Sequence, residues 1–298
     1  MRRAIVLSAF GLGTTSPNPP VGCVILDAEG HLAGEGYHER KGEPHAETQA
    51  LAAAAERARG GSAIIILEPC NHHGRTPPCR QTLIEAGIAR VVISVIDPTS
   101  RGEGGVAALR NAGLDVEVGV LEHETRLVLG PWLAALEHQR PFVTLVYTVD
   151  AGGGIKGLLS TDPASSQEAV MAAHDLRLTH DAVLLEDGQL EEGTPNQHGR
   201  DVFNLPTDTT QRISDLLTLL IDDGVRSLLV DGGCSLASSF LEVGVVDQAV
   251  AYIESGGPSN ARQRTVDAQQ FAGLLRGFAL GDVVRVGRAV RVSSVRRR

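Results

Sequence analysis

His45-Ala46-Glu47, Pro69-Cys70 and Cys79 place one imidazole, two thiols and one carboxyl group close together along the chain. Those types suit one kind of reaction. Replacing an amino group on a ring carbon by water needs hydroxide at neutral pH, and a zinc ion held by three protein ligands supplies it at an open fourth position. His45 as a neutral imidazole, with Cys70 and Cys79 as thiolates, makes that ligand set. The two thiolate charges offset the metal's, so the centre can lie in a fairly dry pocket. Glu47 is left for the proton, taking it from the attacking water and handing it to the ring nitrogen and the departing amine without ligating the metal. The chemistry indicated is hydrolytic deamination of a nucleobase-like ring.

Each of these residues alone could be an ordinary core or loop residue. The local signals give the set its meaning. Pro44 followed by His45 and an alanine-rich run through residue 55 predicts a helix with proline in its first turn, which puts His45 and Glu47 at the helix mouth. Residues 62–67 are a short apolar run of buried-strand type that delivers Cys70 at its carboxyl end. Cys79 follows Pro77-Pro78 and precedes a helical stretch over residues 80–87, so it stands at a helix N-terminus, where the dipole favours thiolate.

The remaining elements form a frame for this site. Residues 21–27 and 32–37 read as neighbouring strands joined by a Glu29-Gly30 turn, and residues 90–96 and 116–121 read as further strands. Residues 106–112 read as a helix, and residues 122–139 as another that Pro141 ends. Alternating strands and helices predict an α/β/α layered sheet, with a domain boundary that leaves residues 1–139 and 140–298 as separate units.

Composition excludes several classes. A chain of 298 residues with 42% hydrophobic content can hold two ordinary domains, and no apolar run approaches membrane-spanning length. The apolar segment after Arg2-Arg3 is cut short at Gly11-Leu12-Gly13 and reads as a first helix rather than a signal peptide. A net charge of -9 and 3% aromatic residues disfavour a nucleic-acid partner. Of the four cysteines, two are assigned to zinc and Cys23 and Cys234 fall in separate domains, which implies a reducing compartment, the cytoplasm.

The spacing Cys70-x8-Cys79 is wider than the Cys-x-x-Cys of most zinc deaminases. Together with Thr15-Ser16-Pro17-Asn18-Pro19-Pro20-Val21-Gly22, Gly34-Glu35-Gly36-Tyr37-His38, Pro44-His45-Ala46-Glu47 and the segment from Glu68 to Cys79, it resembles the bifunctional riboflavin-biosynthesis deaminase/reductase family. The resemblance runs from about Ala4 to Leu121. It implies a cytidine-deaminase-like first domain, a reductase-like (dihydrofolate-reductase-like) second domain, and deamination of the phosphoribosylamino-diaminopyrimidinone made from GTP.

It further implies that Asn18 and His38 contact the substrate, that Arg75 meets the ribose phosphate, and that His72 helps at the substrate edge. A guanidinium can fork onto phosphate oxygens, and Gly74 lets the loop backbone come close. The bland alternatives are a turn residue for Asn18, a strand-end residue for His38 and a solvated loop for His72. Asp97-Pro98, at the carboxyl end of the strand over residues 90–96, faces the crevice where open α/β sheets bind ligands. The family also carries Asp-Pro there, followed by Asn-Pro where this chain has Thr99-Ser100. Asp97 is therefore a substrate contact or a cap of the following turn.

In the second domain, Arg140–Leu145, His180–Leu185 and Ser227–Cys234 resemble the reductase half. The segments that should carry its chemistry depart from the family. The stretch from Val146 to Gly154 stands in place of a lysine and a Ser-Leu-Asp-Gly turn, and the carboxylates Glu186, Asp187, Glu191 and Glu192 replace a cofactor-cradling Gly-Thr segment and would repel a phosphate. Gly232-Gly233 before a helix reads as a structural turn rather than a phosphate site. The expectation is a catalytically silent second domain without NADP, mediating a homo-oligomer, with residues 283–292 as one of its strands. Other readings are a deaminase for a different pyrimidine or purine, a bifunctional enzyme with residual NADPH-dependent activity, and a non-enzymatic zinc scaffold, against which Glu47 argues.

Overall fold

Short apolar runs separated by glycine turns give the first unit a five-stranded sheet. Its elements are α1 (Arg2–Ala9), β1 (Gly22–Leu26), β2 (Leu32–Tyr37), α2 (Ala46–Ala54), β3 (Ser62–Leu67), α3 (Cys79–Glu85), β4 (Arg90–Val95), α4 (Gly105–Asn111), β5 (Asp115–Val118) and α5 (Glu122–His138). The strand order is β2-β1-β3-β4-β5. β1 runs antiparallel to both β2 and β3, while β3, β4 and β5 are parallel and are linked through α3 and α4, as parallel neighbours require. This computed structural model describes residues 1–71, 77–99, 101–150, 154–157, 167–185, 190–192, 209–254, 271–287 and 289–297.

Strand alternation sorts the two faces of the sheet. Cys23, Ile25, Ile65 and Ile93 pack with Ala50 of α2, Leu83 of α3 and Leu109 of α4. Their neighbours turn the other way: Ser94 meets Thr125 of α5 at 2.6 Å, and Gly22 lies so close to α1 that a Cβ there would stand 2.1 Å from the Ala4 carbonyl. The α/β/α layering expected from the sequence is thus present. α2 sits directly on β2, since a Cβ at Gly34 would be 2.3 Å from the Ala50 carbonyl and one at Gly36 would be 2.5 Å from the Ala46 carbonyl.

Pro44 lies outside α2 rather than in its first turn. His45 is the N-cap with extended backbone (φ −68°, ψ 161°), and its carbonyl already accepts from Gln49 N–H at 3.1 Å. The chain therefore enters the helix after the histidine, which leaves the imidazole free to turn away from the helix axis.

The second unit contains β6 (Phe142–Val149), β7 (Ile155–Lys156), α6 (Gln167–Leu178), β8 (Ala182–Leu185), β9 (Leu190–Glu192), α7 (Thr209–Asp222), β10 (Ser227–Asp231), α8 (Cys234–Val243), β11 (Gln248–Glu254), β12 (Phe278–Val286) and β13 (Ala289–Arg296). Its sheet runs β12-β13-β11-β6-β10-β8-β9, with β7 beside β6. The central strands β11, β6, β10 and β8 are parallel, and Val143, Leu145, Leu228 and Val230 pack there with Phe240 and Leu217. Asp247, 6% exposed, ties the start of β6 down: it pairs with Arg140 at 2.7 and 2.8 Å and accepts Val143 N–H at 2.8 Å.

One sequence expectation changes here. Residues 283–292 form a hairpin instead of one strand. Gly287 adopts φ +56°, so Val283 pairs with Val292 across β12 and β13; the apolar alternation continues through the turn and hides it. The chain divides into two compact units within α5, between Gly130 and Pro131. Thr125 bonds Ser94, and His138 stands 3.6 Å from Asp247. Residues 186–189, which include Glu186 and Asp187 of the acidic stretch, lie outside the described residues.

Candidate active site

β3 ends before Cys70, α3 starts at Cys79 and α2 starts after His45, so one strand end and two helix mouths bring the three side chains together. His45 Nδ1 is 3.3 Å from Cys79 Sγ and 3.7 Å from Cys70 Sγ, and the three ligand atoms lie within 4.8 Å of one another. Edges of a tetrahedron built on ordinary Zn–N and Zn–S bond lengths are about 3.5–3.8 Å. One imidazole nitrogen and two sulfurs at this spacing fit zinc. Among the described residues this is the group of histidine, cysteine and acidic side chains so arranged.

Cys70 is pulled down to about 4, first by its hydrogen bond with Cys79 and then by His45, against the cost of burial. Cys79 is pushed up, first by the same hydrogen bond and then by burial. Cys79 also donates its backbone N–H to Cys70 Sγ at 3.2 Å. A thiolate at Cys70 is thus stabilised by the N-terminus of α3, whereas the sequence reading assigns that effect to Cys79 itself.

Glu47 is 3% exposed. Burial is the main cause that raises its carboxyl above the usual range, with the imidazole of His45 acting the other way and Cys70 adding to the rise. A carboxyl group so placed holds a proton more readily than an exposed one, which suits it to taking and returning a proton.

Asn18, His38 and Asp97 line one cavity with His45, Glu47 and Cys70. His38 is 2% exposed and lies edge-on to His45 with ring centroids 5.3 Å apart, so it belongs to the site and is not a surface residue. Asp97 lines the same cavity, and its Oδ1 accepts Thr99 N–H at 2.8 Å, which caps the following turn. Arg75 and His72 lie outside the described residues.

Two further residues of this cavity were not foreseen. Arg101 lines it and donates from Nη1 to Asn18 Oδ1 at 3.2 Å; the only sequence signal was a basic residue shortly after Asp97-Pro98. Glu68 lines it too and accepts Val106 N–H at 2.8 Å, fastening α4 behind the site. Its place in the Leu67-Glu68-Pro69-Cys70 motif could have drawn notice.

Two family models match this chain: the cytidine and deoxycytidylate deaminase zinc-binding region over residues 1–95, and the RibD C-terminal domain over residues 169–258. The riboflavin biosynthesis protein RibD of Escherichia coli K12 is 33% identical, across 85% of this chain and 86% of that protein. Its counterpart in Mycobacterium tuberculosis is 35% identical, across 84% and 83%. Among solved structures, the diaminohydroxyphosphoribosylaminopyrimidine deaminase/5-amino-6-(5-phosphoribosylamino)uracil reductase of Thermotoga maritima superposes with a TM-score of 0.82 at 27% identity, covering 100% of this chain and 97% of that one.

Proposed function

Because the chain belongs to the RibD family of riboflavin biosynthesis proteins, we propose that its first unit is a zinc-dependent deaminase releasing ammonia from a phosphoribosylated diaminopyrimidinone. The observation that carries this reading is the convergence of His45, Cys70 and Cys79 within 4.8 Å beside a buried Glu47.

In this reading His45 holds zinc through Nδ1 and the two cysteines hold it through sulfur. When bound, the metal acidifies water and supplies the nucleophile. Glu47 takes one proton from the attacking water and gives it to the ring nitrogen, then takes the second from the newly added hydroxyl and gives it to the leaving amine. Its burial excludes bulk water from that transfer. Asn18 and His38 orient the ring, Asp97 meets the sugar side, His72 helps at the substrate edge and Arg75 serves the phosphate end.

We further propose that the second unit is catalytically silent and does not use NADP. Val146 supports this, because at the position where the family resemblance leads one to expect a lysine it is 1% exposed and packs in the core with Val183, Leu229 and Val250. The competing reading, a working reductase, has its own support in the RibD C-terminal match and in relatives similar along almost the whole chain. A homo-oligomer built on the second unit completes the proposal, supported by the exposed Leu280 and Val283 on its hairpin. Four free cysteines support a cytoplasmic protein, and no helix among the described residues is long and apolar enough to cross a membrane.

Ammonia release from the phosphorylated diaminopyrimidinone, measured with and without NADPH, tests these points together. We expect release that is indifferent to NADPH and no nicotinamide oxidation. Zinc-loaded protein that leaves this substrate untouched would point to a different ring. NADPH oxidation would establish the bifunctional reading in place of the silent one.

A further inference from the structure

Arg101 is held unusually firmly for an exposed arginine. Its carbonyl accepts Asn71 N–H at 2.7 Å, and Asn71 Nδ2 reaches the Glu103 carbonyl at 2.7 Å, so its backbone is pinned to the residue that comes after ligand Cys70. Its loop is closed on itself as well, by Asp97 Oδ1 on Thr99 N–H at 2.8 Å and by Gly102 N–H on the Thr99 carbonyl at 3.2 Å. The guanidinium is thereby carried into the cavity that holds His45 and Glu47.

A guanidinium has five N–H donors in a planar fork. Here one goes to Asn18 Oδ1 at 3.2 Å, and among the described residues no carboxylate pairs with the rest. The charges around it are unbalanced the other way, since Glu47, Glu68 and Asp97 all line the same cavity, and among the described lining residues Arg101 is the one permanent cation. A phosphorylated ligand entering this cavity needs such a group to offset those carboxyls, and a fork anchored at one corner loses little freedom on forming the bond.

We propose that Arg101 is a specificity-determining residue that binds the anionic, phosphorylated end of the substrate through the free part of its fork while its Nη1 corner holds Asn18. This rests on the deaminase reading of the first unit. Arg101 thus separates phosphorylated from unphosphorylated pyrimidines, and Asn18 and His38 address the uncharged part.

Two measurements on the full-length zinc-loaded protein test it. In the first, Arg101→Ala should raise the KM for the phosphorylated diaminopyrimidinone about tenfold or more while kcat stays within about twofold. The KM for the dephosphorylated ribosyl compound should rise by a much smaller factor, about threefold or less, because Asn18 keeps its bond to His38, and Arg101→Lys should recover part of the loss. An equal loss on both substrates would overturn the proposal and leave Arg101 as a positioning residue acting through Asn18. In the second, phenylglyoxal modification of Arg101, followed by peptide mass spectrometry, should be slowed by ribose 5-phosphate and unaffected by ribose. Absence of that protection would overturn the proposal whatever the kinetics. Protection in a protein that deaminates neither compound would sink the deaminase substrate reading and leave the anion site standing, so the two failures are distinguishable.

Discussion

Asn18 and His38 meet at 3.2 Å in a contact that admits one assignment of protons. His38 Nδ1 faces the Pro44 carbonyl at 3.2 Å, which can only accept, so the ring proton sits on Nδ1 and Nε2 is left as an acceptor. Asn18 must then offer its amide nitrogen to Nε2 and its oxygen to Arg101, whose Nη1 stands 3.2 Å away. The orientation of the amide is fixed by this network. Burial keeps His38 from taking a second proton, partly opposed by its hydrogen bond to Pro44. The pair is a neutral, oriented hydrogen-bonding edge beside ligand His45.

If that edge orients the ring, Asn18→Ala should lower kcat/KM for deamination by about tenfold to a hundredfold, the value of one or two hydrogen bonds in a dry site. Zinc content should stay at the wild-type level. Steady-state kinetics with metal analysis checks this, and loss of zinc in step with activity would show that the residue supports the metal centre instead.

Glu47→Gln should reduce turnover by about a hundredfold to ten-thousandfold, the usual contribution of a proton-transferring group. The amide occupies the same volume without needing to ionise, so neither folding nor zinc binding should suffer. Retained turnover would assign proton transfer to another group.

Gly36→Ala tests how the metal helix is seated. A Cβ there would lie 2.5 Å from the Ala46 carbonyl and 2.6 Å from the Ala50 amide nitrogen, so α2 has to move off β2. We expect a loss of about 1–3 kcal/mol in unfolding free energy, the usual cost of overpacking, with weaker zinc retention under chelator challenge. An unaltered melting temperature would mean that the strand yields and not the helix.

His180 should make stability depend on pH. It is buried against the Leu176 carbonyl at 2.8 Å and Thr144 Oγ1 at 2.9 Å, and burial lowers its proton affinity, offset in part by the bond to Leu176. The unfolded chain binds the proton more readily, so stability is present above the unfolded value of about 6.5 and falls as pH drops below it, by at most about 1.4 kcal/mol per unit. Thermal unfolding at about pH 7 and about pH 5, on wild type and His180→Gln, should show a steeper acid loss in the wild type; parallel curves would contradict this account.

Much of the site was legible because its chemistry is encoded locally. Apolar runs bounded by glycine and proline mark where strands end and helices begin, and His45, Cys70 and Cys79 each stand at such a junction. Layering was legible in the same way, from the alternation of strands and helices. The hairpin at Gly287 was not, since period-two alternation looks the same whether a strand runs on or folds back. Nor was α6 foreseen, and the end of the first unit inside α5 depends on side chains far apart in sequence.

By itself, then, the sequence determined the donor set, the acid and the order of elements, because residue type and near-neighbour spacing suffice for those. Tertiary structure alone decided that Arg101 reaches Asn18 across a separation of 83 residues, that His38 is buried rather than exposed, and that Glu47 carries a raised proton affinity. Those properties come from desolvation and from contacts between distant segments, which exist only once the sheet has brought β2, β3 and β4 together.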